Sequence, residues 1–229
     1  MSAPGDPTAV VVLAYDGVAA DEAGAIVEIM TTAGIPVVIA SVESNPVTSY
    51  HGRVVPTQPA IELARCAALV VPGGMGVRTA SQKPELTKAI ATVGAGAKWI
   101  GATSTGSILL VGAGLTPGAR ITTHWLAAEM LDNANVEVVN EPFIHDGRVL
   151  TASGVASTAT LAFRLVAILR GPEAEKLARS SYTPRVSQDT RYGRLPWWRR
   201  LLGRGTSDNY TLDPTGEAEL IILEWDDDL

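Results

Sequence analysis

Continuous apolar runs alternate with amphipathic helical patterns over most of the chain. An uninterrupted apolar run between turn residues is typical of a strand buried on both faces, as in a parallel sheet. Runs of this kind are TAVVVLAY (8–15), PVVIASV (36–42), AALVVPGG (67–74) and KWIGA (98–102). Helical patterns lie between and after them, at 21–34, 84–96, 157–171 and 172–182. Strands that alternate with helices predict an α/β fold, with a doubly wound, mostly parallel sheet and helices on both of its faces.

Weaker signals describe the remaining segments. Turn residues and short β patches between Ser44 and Gln58 indicate a hairpin, and the segment 125–133 has the pattern of a short helix. Two further strands are expected in VEVVN (136–140) and FIHDGRVLTASG (143–154), the second with a turn at Asp146-Gly147.

The 229 residues are expected to form one α/β domain over residues 1–182 and a C-terminal extension over 183–229. The extension begins with a basic, tryptophan-bearing arm (183–205) and ends in an acidic tail (213–229) with a strand-like run. We expect arm and tail to pack on the domain, on each other or across a subunit interface. Contact of the arm with a membrane surface is the lesser alternative, because the arm is short and broken by proline.

Charge and composition exclude several classes of protein. A formal net charge of −6 argues against a nucleic-acid binder, which needs a basic face. The sequence has no apolar run near the roughly 20 residues of a membrane span, and no basic region precedes the first apolar run as in a signal peptide. The single cysteine, Cys66, excludes an internal disulfide and fits the cytoplasm; a small core or helix-end residue is its expected role.

Residues 98–125 carry the most informative pattern: a buried strand, a tight turn around Ser104, a Gly/Ala-rich helix and then His124. A turn from strand to helix presents its central side chain at the carboxyl edge of the sheet, where α/β proteins place their chemistry. Ser104 is therefore a candidate nucleophile or ligand-holding residue, although a serine here also suits a helix N-cap. His124 is a candidate catalytic residue, with a purely structural histidine as the alternative.

Two further segments are expected at the same edge. Glu22 follows the first strand at the start of a helix, where it is either a solvated acid or a buried proton donor with a raised pKa. Its neighbour Asp21 is able to exchange roles with it. In the turn PGGMGVRT (72–79), Gly73 and Gly74 let backbone N–H groups approach a ligand, unless this is an ordinary turn. The sequence shows no spacing typical of metal ligands, and we expect no metal and no cofactor.

Taken together, the strand with its PGG turn, the elbow ahead of GSILLVGAGL and the downstream TTHW resemble the ThiJ/PfpI superfamily. Within it, the chain is most similar to isocyanide hydratases, which carry C-T-G and then A-G-L-L-x-G-R-x-x-T-T-H-W. This chain has S-T-G and then AGLTPGARITTHW, and the likeness covers about residues 8–182. The resemblance implies a flavodoxin-like sheet of the glutamine amidotransferase-like type, frequent homodimers and an acid, cysteine and histidine at the active site.

Carried over by position, those catalytic residues are Glu22, Ser104 and His124. Substrate-binding residues implied by the resemblance are Gly73, Gly74, Thr105 and Gly106, with the N–H groups of Gly74 and Thr105 facing an anionic intermediate. Some relatives add an AraC-type DNA-binding module, for which residues 183–229 are too few, so a transcription regulator is not expected.

Two positions depart from the family pattern. Ser104 stands where the resemblance implies cysteine, and Thr160 stands where an aspartate is usual. A serine hydroxyl does not ionise at neutral pH as an activated thiol does, so chemistry through sulfur is not expected at this site.

Three functions remain open. The first is an enzyme that uses acid–base chemistry (Glu22, His124, Ser104) to hydrate, hydrolyse, eliminate or cyclise a small, largely apolar molecule. The second is an inactive binding or scaffold protein on the same fold, and the third is a hydrolase with Ser104 as nucleophile.

Overall fold

A seven-stranded sheet organises the protein in the computed structural model, which describes residues 6–42, 46–60 and 65–183. The chain divides into two units, Met1–Tyr182 and Thr183–Leu229, and the expected C-terminal extension falls, from residue 184 on, outside the described residues. The strands are β1 (Val10–Leu13), β2 (Val37–Ser41), β3 (Val47–Thr48), β4 (Val54–Val55), β5 (Gln58–Pro59), β6 (Cys66–Val71), β7 (Ala97–Thr103), β8 (Arg120–Ile121), β9 (Glu137–Val138), β10 (Phe143–Asp146) and β11 (Val149–Ala152). The α-helices are α1 (Ala20–Thr32), α2 (Val77–Ala80), α3 (Pro84–Gly96), α4 (Gly106–Gly112), α5 (Val155–Arg170) and α6 (Pro172–Ser181).

The main sheet has the strand order β10-β11-β7-β6-β1-β2-β5. All its neighbours run parallel except β10, which pairs antiparallel with β11 through the turn at Gly147. From β1 the chain first adds β2 on one side and later returns to add β6, β7 and β11 on the other. This order is that of a doubly wound, flavodoxin-like sheet, as the sequence predicts.

Alternate side chains of the central strands enter two separate cores. Val10 and Val12 of β1 face the core that α1, α5 and α6 cover, whereas Val11 and Leu13 face the core that α3 and α4 cover. Both faces of the sheet are therefore buried, which is why the strands read as continuous apolar runs.

Glycine fixes the end of α1. Gly34 has a φ of +68°, its N–H donates to the Thr31 carbonyl at 3.0 Å, and the N–H of Ile35 donates to the Met30 carbonyl at 2.9 Å. This pair of bonds is a Schellman motif, in which glycine follows the last helical residues in the left-handed conformation. The helix consequently ends at Thr32, two residues before the predicted Gly34.

The smaller elements differ more from the sequence pattern. The expected hairpin is present as the antiparallel pair β3 and β4, and the short helix after His124 is a 3-10 helix, Trp125–Leu131. The four-residue helix α2 and the two-residue strand β8 have no counterpart in the pattern, because so few residues carry no periodicity.

The strand order brings the carboxyl ends of β1, β6, β7 and β11 to one edge of the sheet, beside the point where the winding reverses between β1 and β6. In open α/β sheets this edge is where ligands bind. Within the described residues, no helix has the length and apolarity needed to cross a membrane.

Candidate functional site

Ser104 occupies a sharp elbow between β7, which ends at Thr103, and α4, which begins at Gly106. Its φ is +50°, a left-handed value that no other non-glycine residue in the described part of the chain adopts. Its N–H donates to the Ala152 carbonyl of β11 at 2.7 Å, and the residue is 8% exposed. A non-glycine residue in this conformation costs about 1–2 kcal/mol, so the surrounding contacts must hold the turn. The side chain makes no capping bond to α4, whose N-cap residue is Thr105.

Glycines make room for this elbow. A Cβ at Gly73 would lie 2.6 Å from Ser104 Cβ and 3.0 Å from Ser104 Oγ, and one at Gly106 would lie 2.1 Å from the Val71 carbonyl oxygen. Such distances are far inside van der Waals contact. The turn after β6 and the elbow after β7 therefore approach each other as closely as they do only because neither position carries a side chain.

Glu22 joins three elements at the same edge. Its carboxyl, 2% exposed, reaches from the first turn of α1 to the ends of β6 and β7. Oε2 accepts the Gly73 N–H at 2.8 Å and the Thr103 hydroxyl at 2.5 Å. Because Gly73 also contacts Ser104, the acid and the elbow share one small region of the sheet edge.

Burial raises the pKa of Glu22 above its ordinary value, because a charged carboxylate loses hydration there. The bonds from Thr103 and Gly73 oppose this shift, and the nearby charge of Asp21 adds to it. Asp21 itself is partly exposed and forms an ion pair with Arg53 at 3.5 Å. Of the two acids that the sequence left interchangeable, Glu22 is therefore the one at the elbow.

His124 reaches this edge through a segment that is bonded to the elbow. The Thr123 hydroxyl donates to the Ser104 carbonyl at 3.0 Å, and the Ser107 hydroxyl donates to the Thr122 carbonyl at 2.8 Å. His124 Nδ1 accepts the Leu126 N–H at 3.3 Å, so the ring caps the 3-10 helix and its proton lies on Nε2. Desolvation lowers the pKa of His124, which favours the neutral ring. No hydrogen bond joins His124 to Ser104.

The backbone N–H groups at this edge differ in whether they already have an acceptor. The Gly74 N–H, one of the two donors that the family resemblance implies, donates to Thr105 Oγ1 at 3.0 Å, and the Thr105 hydroxyl donates to the Gly74 carbonyl at 3.2 Å. The Gly73 N–H is taken by Glu22. The Thr105 N–H has no acceptor among the described residues and stays open to a ligand.

Sequence reasoning places Thr103 at the elbow beside Ser104 but misses its bond to Glu22, and it misses Tyr15 altogether. Tyr15 is buried below the turn, its hydroxyl donates to the Pro72 carbonyl at 3.1 Å, and burial together with the charge of Glu22 raises its pKa. Tyr15 lies inside a run that the sequence marks only as a strand, and no feature of the sequence distinguishes it from a core residue. Thr103 directly follows the predicted strand 98–102, and the sequence does not show which residue its hydroxyl bonds.

The other titratable candidates lie away from this edge or are engaged elsewhere. Cys66 is buried at the first position of β6, where burial raises the pKa of its thiol to about 11. His145 packs edge-on against Trp99, and the ring of His51 lies tilted against that of Tyr50. The described residues contain no group of three or more His, Cys, Asp or Glu that could hold a metal ion.

Comparison with known proteins agrees with this architecture. The model of the DJ-1/PfpI family matches residues 8–168. An isonitrile hydratase from Pseudomonas putida is 30% identical over 133 residues, which are 58% of this chain and 58% of that protein. The transcriptional regulator CdhR of Pseudomonas aeruginosa is 28% identical over 68% of this chain and 50% of its own length. The chain thus spans 58% of the length of the first relative and 50% of the length of the second.

Solved structures extend the likeness to the whole sheet. A ThiJ/PfpI family protein from Pseudomonas syringae superposes with a TM-score of 0.72 at 25% identity, over 82% of this chain and 80% of that one. DJ-1beta from Drosophila melanogaster, at 19% identity, has the same fold with a TM-score of 0.69, over 76% of this chain and 97% of its own. Since the family model covers residues 8–168, more than half of the chain, the chain belongs to the DJ-1/PfpI family.

Proposed function

We propose that this protein is an enzyme that uses acid–base chemistry on a small, uncharged molecule, with Glu22 as the proton donor and without a thiol nucleophile. The observation that carries the proposal is the Glu22 carboxyl, buried at the carboxyl edge of the sheet with both of its hydrogen bonds on Oε2. Burial keeps this carboxyl protonated to a higher pH than a solvated one, which suits it to donate a proton.

Ser104 and His124 serve in this proposal as neutral hydrogen-bonding groups. A serine hydroxyl needs a bonded base to become a nucleophile, and His124 Nδ1 is already occupied by the Leu126 N–H. The Ser104 hydroxyl and the Thr105 N–H would hold the oxygen of a carbonyl group or of a water molecule. The Nε2–H of His124 would donate to the substrate or position that water.

A thiol pathway is excluded from the proposal by the position of Cys66. The chain has one cysteine, and it begins β6 whereas Gly73 follows the end of that strand. Five residues of extended chain separate Cys66 from Val71, a distance of about 17 Å at roughly 3.3 Å per residue. The thiol is therefore at the opposite edge of the sheet from Ser104.

The relatives suggest which reactions to try. One is named an isonitrile hydratase, and another, from Caenorhabditis elegans, is named a glutathione-independent glyoxalase; it is 24% identical over 64% of this chain and 80% of its own length. Hydration of an isonitrile adds one water molecule and gives an N-substituted formamide: the terminal carbon receives the oxygen and one proton, and the nitrogen receives the other proton. Neither a leaving group nor a redox partner is needed, which suits a site with a protonated acid and no cysteine.

The test is turnover with a panel of aryl and alkyl isonitriles, 2-oxoaldehydes and epoxides. The wild-type protein is compared with Glu22→Gln, which keeps an acceptor for Thr103 and Gly73 but has no proton of comparable acidity. Asp21→Asn is the matched control, because it removes the neighbouring carboxylate, which pairs with Arg53 instead. We expect Glu22→Gln to lose about 10²–10⁴-fold in kcat/KM and Asp21→Asn to retain activity within about threefold.

Three results would contradict the proposal. Equal turnover by wild type and Glu22→Gln would remove the acid from the mechanism. Covalent labelling of Ser104 by a fluorophosphonate, seen as a mass increase that Ser104→Ala abolishes, would favour a serine hydrolase. Binding of panel compounds without turnover, unchanged in both variants, would favour an inactive binding protein.

A further inference from the structure

We propose that Thr103 is a positioning residue that, with the Gly73 N–H, keeps the proton of Glu22 on Oε1, so that the acid always presents its proton from the same oxygen. This inference rests on the proposed function for its meaning in catalysis. The position of the Glu22 proton is a property of the substrate-free protein, and it is tested in that state.

Among the residues that the structure describes, the Thr103 hydroxyl bonds to one partner. Thr103 lies at the last position of β7 with no exposed surface, and its hydroxyl bonds to Glu22 Oε2 at 2.5 Å. If Glu22 instead donated a proton to Thr103, the threonine hydrogen would be buried with no acceptor among the described residues. Buried hydroxyl groups pair their hydrogen wherever an acceptor is within reach. Thr103 therefore donates and Oε2 accepts.

The hydrogen bond from Gly73 to Glu22 has only one possible direction. The Gly73 N–H, 2.8 Å from the same Oε2, is a backbone group that only donates. An oxygen that receives two donors has no free direction for a proton of its own, and the hydroxyl oxygen of a carboxylic acid is a poor acceptor. When Glu22 is protonated, the proton consequently lies on Oε1.

No other charged group competes for this carboxyl. Among the described residues, Asp21 and Tyr15 are the titratable groups with an electrostatic effect on Glu22 or from it. Asp21 pairs with Arg53, and the Tyr15 hydroxyl donates to the Pro72 carbonyl. Neither hydrogen-bonds to Glu22, so the assignment of its two oxygens is made by Thr103 and Gly73.

The arrangement has a consequence for proton transfer. Both donors keep their bonds to Oε2 whether Glu22 is neutral or charged, so the proton leaves Oε1 and returns to it without a rearrangement of side chains. The Thr103 bond also opposes the effect of burial by stabilising the charged form. Without this bond, the carboxyl would hold its proton to a higher pH.

The test compares Thr103→Val, which has the same shape and no donor, with Thr103→Ser, which keeps the hydroxyl. Thr92→Val is the matched control, since Thr92 is an exposed threonine of α3 that bonds the Lys88 carbonyl. The Glu22 carboxyl is titrated by NMR in protein labelled with ¹³C at glutamate Cδ, and its signal is assigned by its absence in Glu22→Gln. We expect Thr103→Val to titrate at least half a pH unit above wild type, and Thr103→Ser and Thr92→Val to follow wild type.

An unchanged midpoint in folded Thr103→Val would overturn the inference, as would a raised midpoint in Thr103→Ser. If Thr103→Val does not fold, Thr103→Ala is titrated in its place with the same expectation. The titration needs no substrate, so its outcome is independent of whether any compound of the panel is turned over. If the Thr103→Val midpoint rises as expected but no panel compound is turned over, the inference about Thr103 holds and the proposed function is wrong.

Discussion

At the scale of single residues, the most informative contrast is between two adjacent acids. Successive residues of a helix are turned by about 100° from each other. At the start of α1 this rotation directs Glu22 into the protein, where it bonds Gly73, and Asp21 outward to Arg53. The same carboxyl group therefore belongs to a buried site in one residue and to a surface ion pair in the next.

The sequence predicts the elbow at Ser104 because a buried strand, a small polar residue and a helix follow one another there. It does not predict that Thr103 bonds Glu22, because these residues are 81 positions apart and meet only once β7 is set beside β6. The same holds for Tyr15 under the Pro72 carbonyl. Contacts of this kind depend on sheet register, which a local pattern does not contain.

The left-handed backbone of Ser104 gives a prediction about stability. Glycine adopts a φ of +50° without the steric cost that alanine bears. Since both substitutions remove the hydroxyl, we expect Ser104→Gly to exceed Ser104→Ala in free energy of unfolding by about 0.5–1 kcal/mol. Urea unfolding of the two variants measures this difference. Equal stabilities would show that the elbow relaxes when the hydroxyl is removed.

At the scale of elements, prediction succeeds where an element has its own periodicity and end signals. Helix α3 spans the predicted 84–96, since Pro84 begins it and its apolar positions repeat with the helical period. The elements that were missed are the short α2, β5 and β8, and α1 ends two residues before the predicted end, at its Schellman motif. The conformation of these elements depends more on the segments that pack against them than on their own residues.

Substitution of two glycines by alanine, Gly73 and Gly24, should change the stability of the protein in opposite directions. At Gly73 a Cβ would meet Ser104 and the Thr105 nitrogen, at 2.6 and 2.9 Å. At Gly24, exposed in α1, it would meet nothing within 4 Å. We expect Gly73→Ala to destabilise the protein by about 1–3 kcal/mol and Gly24→Ala to stabilise it by about 0.5–1 kcal/mol.

Thermal and urea unfolding of both variants measure these effects. A Gly73→Ala protein as stable as wild type would mean that the turn after β6 shifts without cost, and the close approach of turn and elbow would then not be required for folding.

At the scale of the whole molecule, alternation of strand and helix patterns is sufficient to predict the doubly wound sheet and both of its covered faces. It does not predict that β5 and β10 form the two edges of the sheet. The two-residue β5 gives no periodic signal, and the pattern that predicts a strand at β10 does not show which strand it pairs with. The winding order nevertheless determines where the site lies. Glu22, Gly73 and Ser104 come from segments that are distant in the chain and meet beside the reversal between β1 and β6.

The buried carboxyl also makes global stability depend on pH. The pKa of Glu22 is higher in the folded protein than its unfolded value near 4.5, so its contribution to stability is fully present below that value. This contribution is lost as pH rises through the folded pKa, with a slope of at most about 1.4 kcal/mol per pH unit. Glu22→Gln does not titrate, so its free energy of unfolding relative to wild type should increase from pH 4 to pH 8.

Urea unfolding of both proteins at several pH values in this range provides the measurement. The difference between their free energies of unfolding removes the contribution of every titratable group that the two proteins share. A difference that stays constant from pH 4 to pH 8 would mean that Glu22 titrates alike in the folded and the unfolded chain.

The position of the single thiol has a consequence for how the protein withstands oxidants. Peroxide converts reactive cysteines stepwise to sulfenic, sulfinic and sulfonic acids, and the last steps end the activity of thiol enzymes. Cys66 is enclosed at the amino end of β6 and holds its proton to a pH of about 11, while the elbow at the other edge carries a hydroxyl group. We therefore expect the reaction proposed beside Ser104 to continue after a peroxide treatment that inactivates thiol enzymes.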